Sequence, residues 1–153
     1  MTRVRLASVQ DYPFCADLSE QAMRLHLEGR PDLFSVPLSP ALSRPGFEGM
    51  LQNPDFLLLV AEEAGAVRGF LIARRQGNKA FRQEELFVES LVVDAAHRGR
   101  GLGRALMDFL ELEARRRGYA SLALQVWEFN QAAQAFYARI GYRPRSHILE
   151  KQL

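Results

Sequence analysis

The chain has 153 residues, of which 48% are hydrophobic and 25% charged, and its formal net charge is +2. This length predicts a single domain over residues 1–153, with a core large enough to need neither metal nor disulfide. The one cysteine, Cys15, excludes an intrachain disulfide framework. The longest apolar run, Phe56–Ala61, is far shorter than the ~20 residues of a membrane-spanning helix, and we expect no secretion signal, because the first residues lack an apolar stretch. We therefore expect a cytoplasmic protein with no membrane partner.

The charged residues do not indicate a nucleic-acid partner. Arginine supplies 18 of the 20 basic residues, but these are interleaved with 18 acidic residues and form no basic arm. The histidines, His26, His97 and His147, lie far apart, without the spacing of metal ligands. We expect neither nucleic-acid binding nor a metal site.

Hydrophobic periodicity divides the chain into ten elements. In the first half, a strand is predicted at Val4–Ser8 and helices at Asp11–Glu28 and Ser39–Leu51. They are followed by a hairpin of two strands, Phe56–Glu62 and Val67–Arg75, and by a further strand at Leu86–Asp94. The second half predicts helix, strand, helix and strand, at Leu102–Arg117, Ser121–Trp127, Gln131–Ile140 and Tyr142–Leu149. This order predicts a mixed sheet with helices on its faces.

A glycine-rich loop separates the fourth predicted strand from the third long helix. Its glycines are Gly99, Gly101 and Gly103, and its arginines are Arg98, Arg100 and Arg104. Glycine lets the backbone approach a ligand closely, and the helix start offers unpaired N–H groups to an anion such as a pyrophosphate. Neither a dinucleotide fingerprint nor a Walker A loop fits, because Arg104 and Leu106 stand where glycine is needed and no lysine lies here.

Two ordered motifs resemble the GCN5-related N-acetyltransferase (GNAT) superfamily. The first is the strand followed by Arg98-x-x-Gly101-x-Gly103 and a helix. The second is Asn130-x-x-Ala133-x-x-x-Tyr137-x-x-x-Gly141-Tyr142. The motifs lie between Glu89 and Tyr142, whereas the N-terminal half matches only in element order. The resemblance implies an α/β (α+β) GNAT fold: one mixed, mostly antiparallel twisted sheet flanked by helices, with a splayed cleft between the fourth and fifth strands.

The resemblance also implies acetyl-CoA as co-substrate, bound in that cleft without a metal. Backbone groups of Leu91 and Val93 would pair with the pantetheine arm, and N–H groups from Arg98 to Arg104 would hold the pyrophosphate. The binding residues implied are Leu91, Val92, Val93, Arg98, Gly99, Arg100, Gly101, Leu102, Gly103, Arg104, Asn130 and Ala133. Asn130 would also cap its helix.

The implied reaction is direct acetyl transfer to a primary amine. Tyr137 lies where the family places the acid that protonates the leaving thiolate. Glu89 is the best candidate for the base, with Glu84 and Glu85 as alternatives, since a charged amine must lose a proton before it attacks. The oxyanion would meet a backbone N–H near Val92 or Val93. Structural roles stay open: Glu89 could pair with an arginine such as Arg74, and Tyr137 could be a core aromatic.

The sequence leaves the acceptor undecided between a small-molecule amine and a peptide or protein amine. Trp127 and Phe129 suit core packing and the lining of an acceptor pocket equally well, and Phe34 could also line such a pocket. Neither the length of the acyl group nor the presence of a homodimer is fixed. The alternative function is a non-catalytic module that binds and senses acyl-CoA.

Overall fold

A computed structural model describes residues 1–36, 39–77 and 80–153; Pro37, Leu38, Asn78 and Lys79 lie outside the described residues. The strands are β1 Thr2–Leu6, β2 Phe56–Glu63, β3 Ala66–Gln76, β4 Glu85–Val93 and β5 Leu122–Leu124. The helices are α1 Tyr12–Gly29, α2 Arg44–Gln52, α3 Leu102–Arg116 and α4 Gln131–Arg139. In this part of the chain no helix is long and apolar enough to span a membrane.

The strands form one sheet in the order β1-β2-β3-β4-β5. The first three pairings are antiparallel and the β4–β5 pairing is parallel, which confirms the predicted mixed, mostly antiparallel sheet. The parallel pairing covers only Leu86–Val88 opposite Leu122–Leu124, whereas β4 continues to Val93. The two strands therefore share one end of the sheet and separate towards the other, as the predicted cleft requires.

Helices cover both faces of this sheet because strand side chains alternate between them. On one face, α3 buries Leu106 and Leu110 against Leu59 and Leu71. On the other, α1 and α2 bury residues such as Phe47 against Val60, Phe70 and Ile72. Phe136 and Tyr137 of α4 pack on the α3 face. The sheet thus separates a face covered by α1 and α2 from a face covered by α3 and α4.

Two predicted elements are shorter than expected, for local reasons. The second helix begins at Arg44 rather than Ser39, because Ser43 acts as its N-cap, accepting a hydrogen bond from the Gly46 N–H at 3.1 Å, with Pro45 in the first turn. The fifth strand ends at Leu124 rather than Trp127. The Trp127 ring instead lies near His26 of α1, so the chain leaves the sheet to pack on that helix.

The predicted last strand, Tyr142–Leu149, was wrong: the described structure has no strand after α4. Tyr142 packs beside the core on the α3 face, but Ile148 and Leu149 are 79% and 91% exposed, so the rest of this stretch has no apolar face to bury against the sheet. Two ion pairs hold it instead. Arg145 bonds Glu85 at 2.8 and 3.0 Å, and Glu150 lies 2.7 Å from Arg30. Side-chain ion pairs therefore attach this segment, in place of the backbone hydrogen bonds that the predicted strand would have formed with the sheet.

Replacing Arg145 tests this attachment. Glu85 is 3% exposed, and the hydrogen bonds from Arg145 hold its pKa below the ordinary value. We expect Arg145→Gln to lower the free energy of unfolding at pH 7 by about 1–3 kcal/mol. A lowered carboxyl pKa stabilises the fold above the ordinary pKa and loses that contribution as pH falls through the lowered one. Urea denaturation at pH 7 and pH 3 should therefore show a larger difference between wild type and variant at pH 7 than at pH 3.

The control is Arg143→Gln, which removes the same charge from an arginine that forms no ion pair within the described chain. It should change the free energy of unfolding by no more than about 0.5 kcal/mol. Equal losses in the two variants would show that net charge, rather than the Arg145–Glu85 contact, accounts for the effect.

Candidate active site

A β-bulge in β4 sets the position of Glu89. Ile72 of β3 pairs with Ser90 and the next residue, Ala73, pairs with Val88, so Glu89 is an extra residue in the ladder. Its carboxylate accepts a hydrogen bond from Arg74 Nε. Arg74 follows Phe70 and Ile72 at two-residue intervals, so the pair lies on the face covered by α1 and α2.

The Arg74–Glu89 ion pair is the contact expected if Glu89 has a structural role. Both side chains are more than a third exposed, so this is a solvent-accessible pair. The Arg74 guanidinium also lies 5.4 Å above the Phe87 ring. An accessible carboxylate can still receive a proton from an incoming amine, so the role of Glu89 as a base stays a prediction.

The glycine loop leaves the end of β4 and opens α3. Gly99 and Gly101 have φ angles of +77° and +86°, a left-handed backbone conformation that residues with a Cβ rarely adopt. Gly101 is the N-cap of α3, and a short 3₁₀ turn, Ala95–His97, precedes the loop. The N–H groups at the start of α3 therefore adjoin an exposed backbone turn, which suits an anion.

Gly103 brings the loop and α4 together. A Cβ at this position would lie 3.5 Å from Phe136 Cζ and 3.7 Å from Val93 Cγ2. The Phe136 ring is in edge-to-face contact with the Tyr137 ring, with centroids 5.1 Å apart. The end of β4, the start of α3 and the helix that carries Tyr137 thus meet at one place, although the sequence separates them widely.

The three loop arginines differ in their partners. Arg100 lies 3.3 Å from Glu63, and Arg104 lies 2.9 Å from Asp108 one turn later in α3. Arg98 Nε donates to the Val93 carbonyl oxygen at 3.3 Å and has no carboxylate partner among the described residues. Arg98 is therefore the cation in this loop with charge to offer an anionic ligand.

Asp94, at the junction of β4 and the loop, is a residue whose importance the sequence did not indicate. Gln21 of α1 donates to its carboxylate at 3.1 Å and accepts from the Ala95 N–H at 3.1 Å. His97 Nδ1 lies 2.6 Å from the same carboxylate. These contacts hold the pKa of Asp94 below its ordinary range. They fix the angle at which the loop leaves the sheet.

Tyr137 is half-buried on α4 between Phe136 and Tyr142. Burial raises its pKa to about 12, so the phenol stays protonated across the neutral range. Burial also raises the pKa of Tyr142, whose ring centroid lies 5.6 Å away. Tyr137 thus fits both of its interpretations, because an aromatic packed on the core can also carry a protonated hydroxyl.

Asn130 caps α4 as predicted, since its side chain accepts a hydrogen bond from the Ala133 N–H at 3.1 Å. Gln134, one turn later, donates to the carbonyl oxygens of Trp127 and Glu128 at 3.1 and 2.9 Å. These bonds fix the segment between β5 and α4 to the helix that carries Tyr137.

Four half-buried rings, which we call the aromatic cluster, lie beside this segment: His26, Phe34, Trp127 and Phe129. Phe34 contacts Trp127 edge-to-face with centroids 5.1 Å apart, and His26 lies 5.2 to 6.4 Å from the other three. Burial lowers the pKa of His26, so its ring is neutral at pH 7. The cluster therefore presents aromatic surface without a charge of its own.

The described residues contain no group of three or more histidine, cysteine or carboxylate side chains that could hold a metal ion. A polar depression lies at the opposite end of β4, beside Asp55, Glu84 and Arg117. Its charges are already paired, because Arg75 contacts both Asp55 and Glu84 at 3.0 Å. We assign no ligand to it.

Comparison with known proteins identifies the family. The model of the Acetyltransferase (GNAT) family matches residues 20–142. The chain therefore belongs to the GNAT family of acetyltransferases, which use acetyl-CoA as co-substrate, and the resemblance seen in the sequence is confirmed. In fold it is similar to a tetramutant of the BH1408 protein from Bacillus halodurans, with a TM-score of 0.91, 25% identity and 99% coverage of both chains.

Two curated relatives match over shorter stretches. An uncharacterized N-acetyltransferase, YdgE, from Bacillus subtilis is 35% identical over 71 residues, which are 46% of this chain and 45% of that protein. The ribosomal protein bS18-alanine N-acetyltransferase of Escherichia coli is 39% identical over 59 residues, 39% of this chain and 40% of that protein. The chain thus spans less than half the length of these relatives, and their acceptors are not transferred to it.

Proposed function

We propose that this chain moves an acetyl group from acetyl-CoA to a primary amine by direct transfer, acting as a single domain. The observation that carries the proposal is the path of β4. It runs past its last pairing with β5, leaves an edge free for an extended ligand, and ends in a glycine loop that opens α3. A strand edge suits the amides of pantetheine, and the loop suits a pyrophosphate.

The residues proposed to hold acetyl-CoA are those of the edge and the loop, with Asn130 and Ala133 at the start of α4. Leu91, Val92 and Val93 supply the edge, and residues 98–104 supply N–H groups and the free cation of Arg98. The thioester would then lie at the mouth of the cleft, near the helix that carries Tyr137, because Phe136 packs on Gly103.

In the proposed reaction the amine nitrogen attacks the thioester carbonyl carbon and the carbon–sulfur bond breaks. An alkylamine is mostly protonated at pH 7, since its pKa is about 10.4. Glu89 accepts the proton it must lose, directly or through a water. A backbone N–H near Val92 or Val93 stabilises the oxyanion. The Tyr137 hydroxyl, which burial keeps protonated, donates its proton to the departing thiolate.

The activity is tested by measuring thiol release from acetyl-CoA against a panel of amines. The panel contains amino acids, polyamines, aminoglycosides and peptides with free N-termini, beside a reaction without acceptor. We expect release well above that background for one class. No release, with acetyl-CoA still raising the melting temperature, would favour a protein acceptor, another acyl donor or the acyl-CoA sensor. Neither release nor stabilisation by acetyl-CoA would contradict the assignment of residues 98–104 to the pyrophosphate.

Glu89→Gln separates a base from a structural carboxylate. We expect kcat to fall about 10²-fold at pH 7, because no group then accepts the amine proton. The deficit should narrow as the pH rises towards 10, because a growing fraction of the amine is already neutral. Initial rates between pH 6 and pH 10 provide the measurement.

Glu84→Gln is the matched control for this variant. Glu84 also pairs with an arginine of β3, since it lies 3.0 Å from Arg75. It stands just before β4, at the end of that strand that pairs with β5, and so away from the cleft. Each variant loses one exposed ion pair, so each should lose no more than about 1 kcal/mol of stability. A wild-type pH profile for Glu89→Gln would leave Glu89 with the structural role alone.

A further inference from the structure

We propose that the aromatic cluster selects the acceptor, and that it takes a primary amine carrying an aromatic ring a few bonds from its nitrogen. This inference rests on the acetyltransferase activity proposed above and names the class of substrate for the same site. Such an acceptor could be a free arylalkylamine or a peptide whose N-terminal residue is aromatic.

The cluster lies outside both hydrophobic cores. The core residues on the two faces of the sheet, and the partly buried residues packed against them, include none of His26, Phe34, Trp127 and Phe129 among the described residues. Large rings that stay half-exposed and contact one another, rather than the core, form a surface that another ring can extend. This favours the pocket interpretation over the core interpretation.

The position of the cluster fits an acceptor. Trp127 lies three residues beyond the end of β5, where the cleft opens, and its ring lies against His26 of α1. Glu89 and its partner Arg74 face the side covered by α1 and α2. The cluster and the proposed base therefore lie on the same side of the sheet, while Gln134 joins Trp127 to the helix of Tyr137.

The cluster is also held in a fixed arrangement. A Cβ at Gly29 would lie 2.3 Å from the Phe129 ring, so that ring packs directly against the backbone at the end of α1. The Trp127 and Phe129 rings are nearly parallel, with an interplanar angle of 20°. A surface arranged before binding loses little conformational freedom when a substrate ring packs on it.

The charges at the edge of the cluster favour an aromatic group over a second ammonium group. Asp32 and Glu150 both lie 2.7 Å from Arg30, so one cation already pairs with these two carboxylates. Glu28, next to Gly29, and Glu128, between Trp127 and Phe129, are exposed and form no ion pair within the described chain. These two carboxylates stand on separate segments and do not form the acidic cluster that a polyamine or an aminoglycoside, which carries several cations, would need.

The test compares acceptors of similar size. We expect kcat/KM for 2-phenylethylamine, phenylalanine amide and a peptide with N-terminal phenylalanine to exceed that for hexylamine and spermidine by about tenfold or more, mainly through KM. The three aromatic acceptors distinguish a free amine from a peptide. Phe34→Leu, which keeps the apolar volume but removes a ring, should bring phenylethylamine within about twofold of hexylamine.

Phe14→Leu is the matched control, because Phe14 is a half-exposed ring on the same helix as His26 but outside the cluster. It should keep the wild-type preference. Trp127 is the one tryptophan of the sequence, so its fluorescence reports binding without turnover. Titration with 2-phenylethylamine in the presence of CoA should give a saturable change, and hexylamine should give none below a tenfold higher concentration.

Equal kcat/KM for aromatic and linear amines, a higher value for spermidine, or a Phe34→Leu variant with unchanged preference would each overturn the inference while leaving the acetyltransferase activity intact. Should Phe34→Leu fail to fold, the wild-type preference and the fluorescence titration decide the question. Saturable fluorescence without acetylation of any amine would instead retain the aromatic site and contradict the proposed activity.

Discussion

Tyr137→Phe is expected to lower kcat about 10²-fold or more while leaving the Kd for acetyl-CoA within about twofold of the wild-type value. The substitution keeps the ring that packs against Phe136 and Tyr142, so the fold loses little. It removes the hydroxyl, whose burial raises its pKa to about 12 and keeps its proton in place. The thiolate must then leave without a proton donor. Steady-state kinetics and calorimetric titration with acetyl-CoA provide the two values.

Tyr142→Phe is the control, because Tyr142 contacts the Tyr137 ring and its pKa is raised by burial as well. If removing any buried tyrosine hydroxyl lowered kcat, both variants would be affected equally. If Tyr137 is the acid, kcat falls only in Tyr137→Phe. Wild-type turnover in Tyr137→Phe would assign this residue to core packing and remove the acid from the mechanism.

Gly101→Val is expected to raise the Kd for acetyl-CoA at least about tenfold. Gly101 has a φ angle of +86°, which a β-branched residue does not adopt without strain. Relief of that strain would turn the N–H groups at the start of α3 away from the pyrophosphate. Each hydrogen bond to a charged group contributes about 1.5–3 kcal/mol, and the loss of one accounts for a tenfold weakening.

Gly118→Val provides the comparison at the other end of α3. Gly118 has a φ angle of +84°, and a Cβ at either glycine would meet no atom within 4 Å. Both variants should therefore lose a similar free energy of unfolding, about 1–2 kcal/mol or more. Only Gly101→Val should lose affinity for acetyl-CoA. Equal affinities in the two variants would contradict the role of the loop.

The glycine loop shows why part of this fold could be predicted from the sequence. Positive φ angles at Gly99 and Gly101 are local requirements, and glycine satisfies them without help from distant residues. The Asn130 cap is equally local, since its partner is the Ala133 N–H. The β2–β3 hairpin followed from two apolar runs around a tight turn. Each pattern has its cause within a few residues.

The last predicted strand shows where this approach failed. Residues Tyr142–Leu149 have β-prone composition, but a strand needs a partner edge, and here long-range ion pairs to Glu85 and Arg30 hold the segment instead. Similarly, no sequence pattern indicated that Gln21 would bond Asp94 across 73 positions. The sequence offered Arg74 as a partner for Glu89, but it did not indicate the bulge in β4 that sets the position of Glu89.

The sequence by itself determined the order of helices and strands up to α4, the family and the loop that suits a pyrophosphate, because these depend on periodicity and on backbone angles set by neighbouring residues. Only the tertiary structure decided where β4 and β5 separate, that Glu89 does pair with Arg74, and that four rings from distant segments form the aromatic cluster. Those features arise from contacts between residues far apart in the chain, which depend on how the helices pack on the sheet.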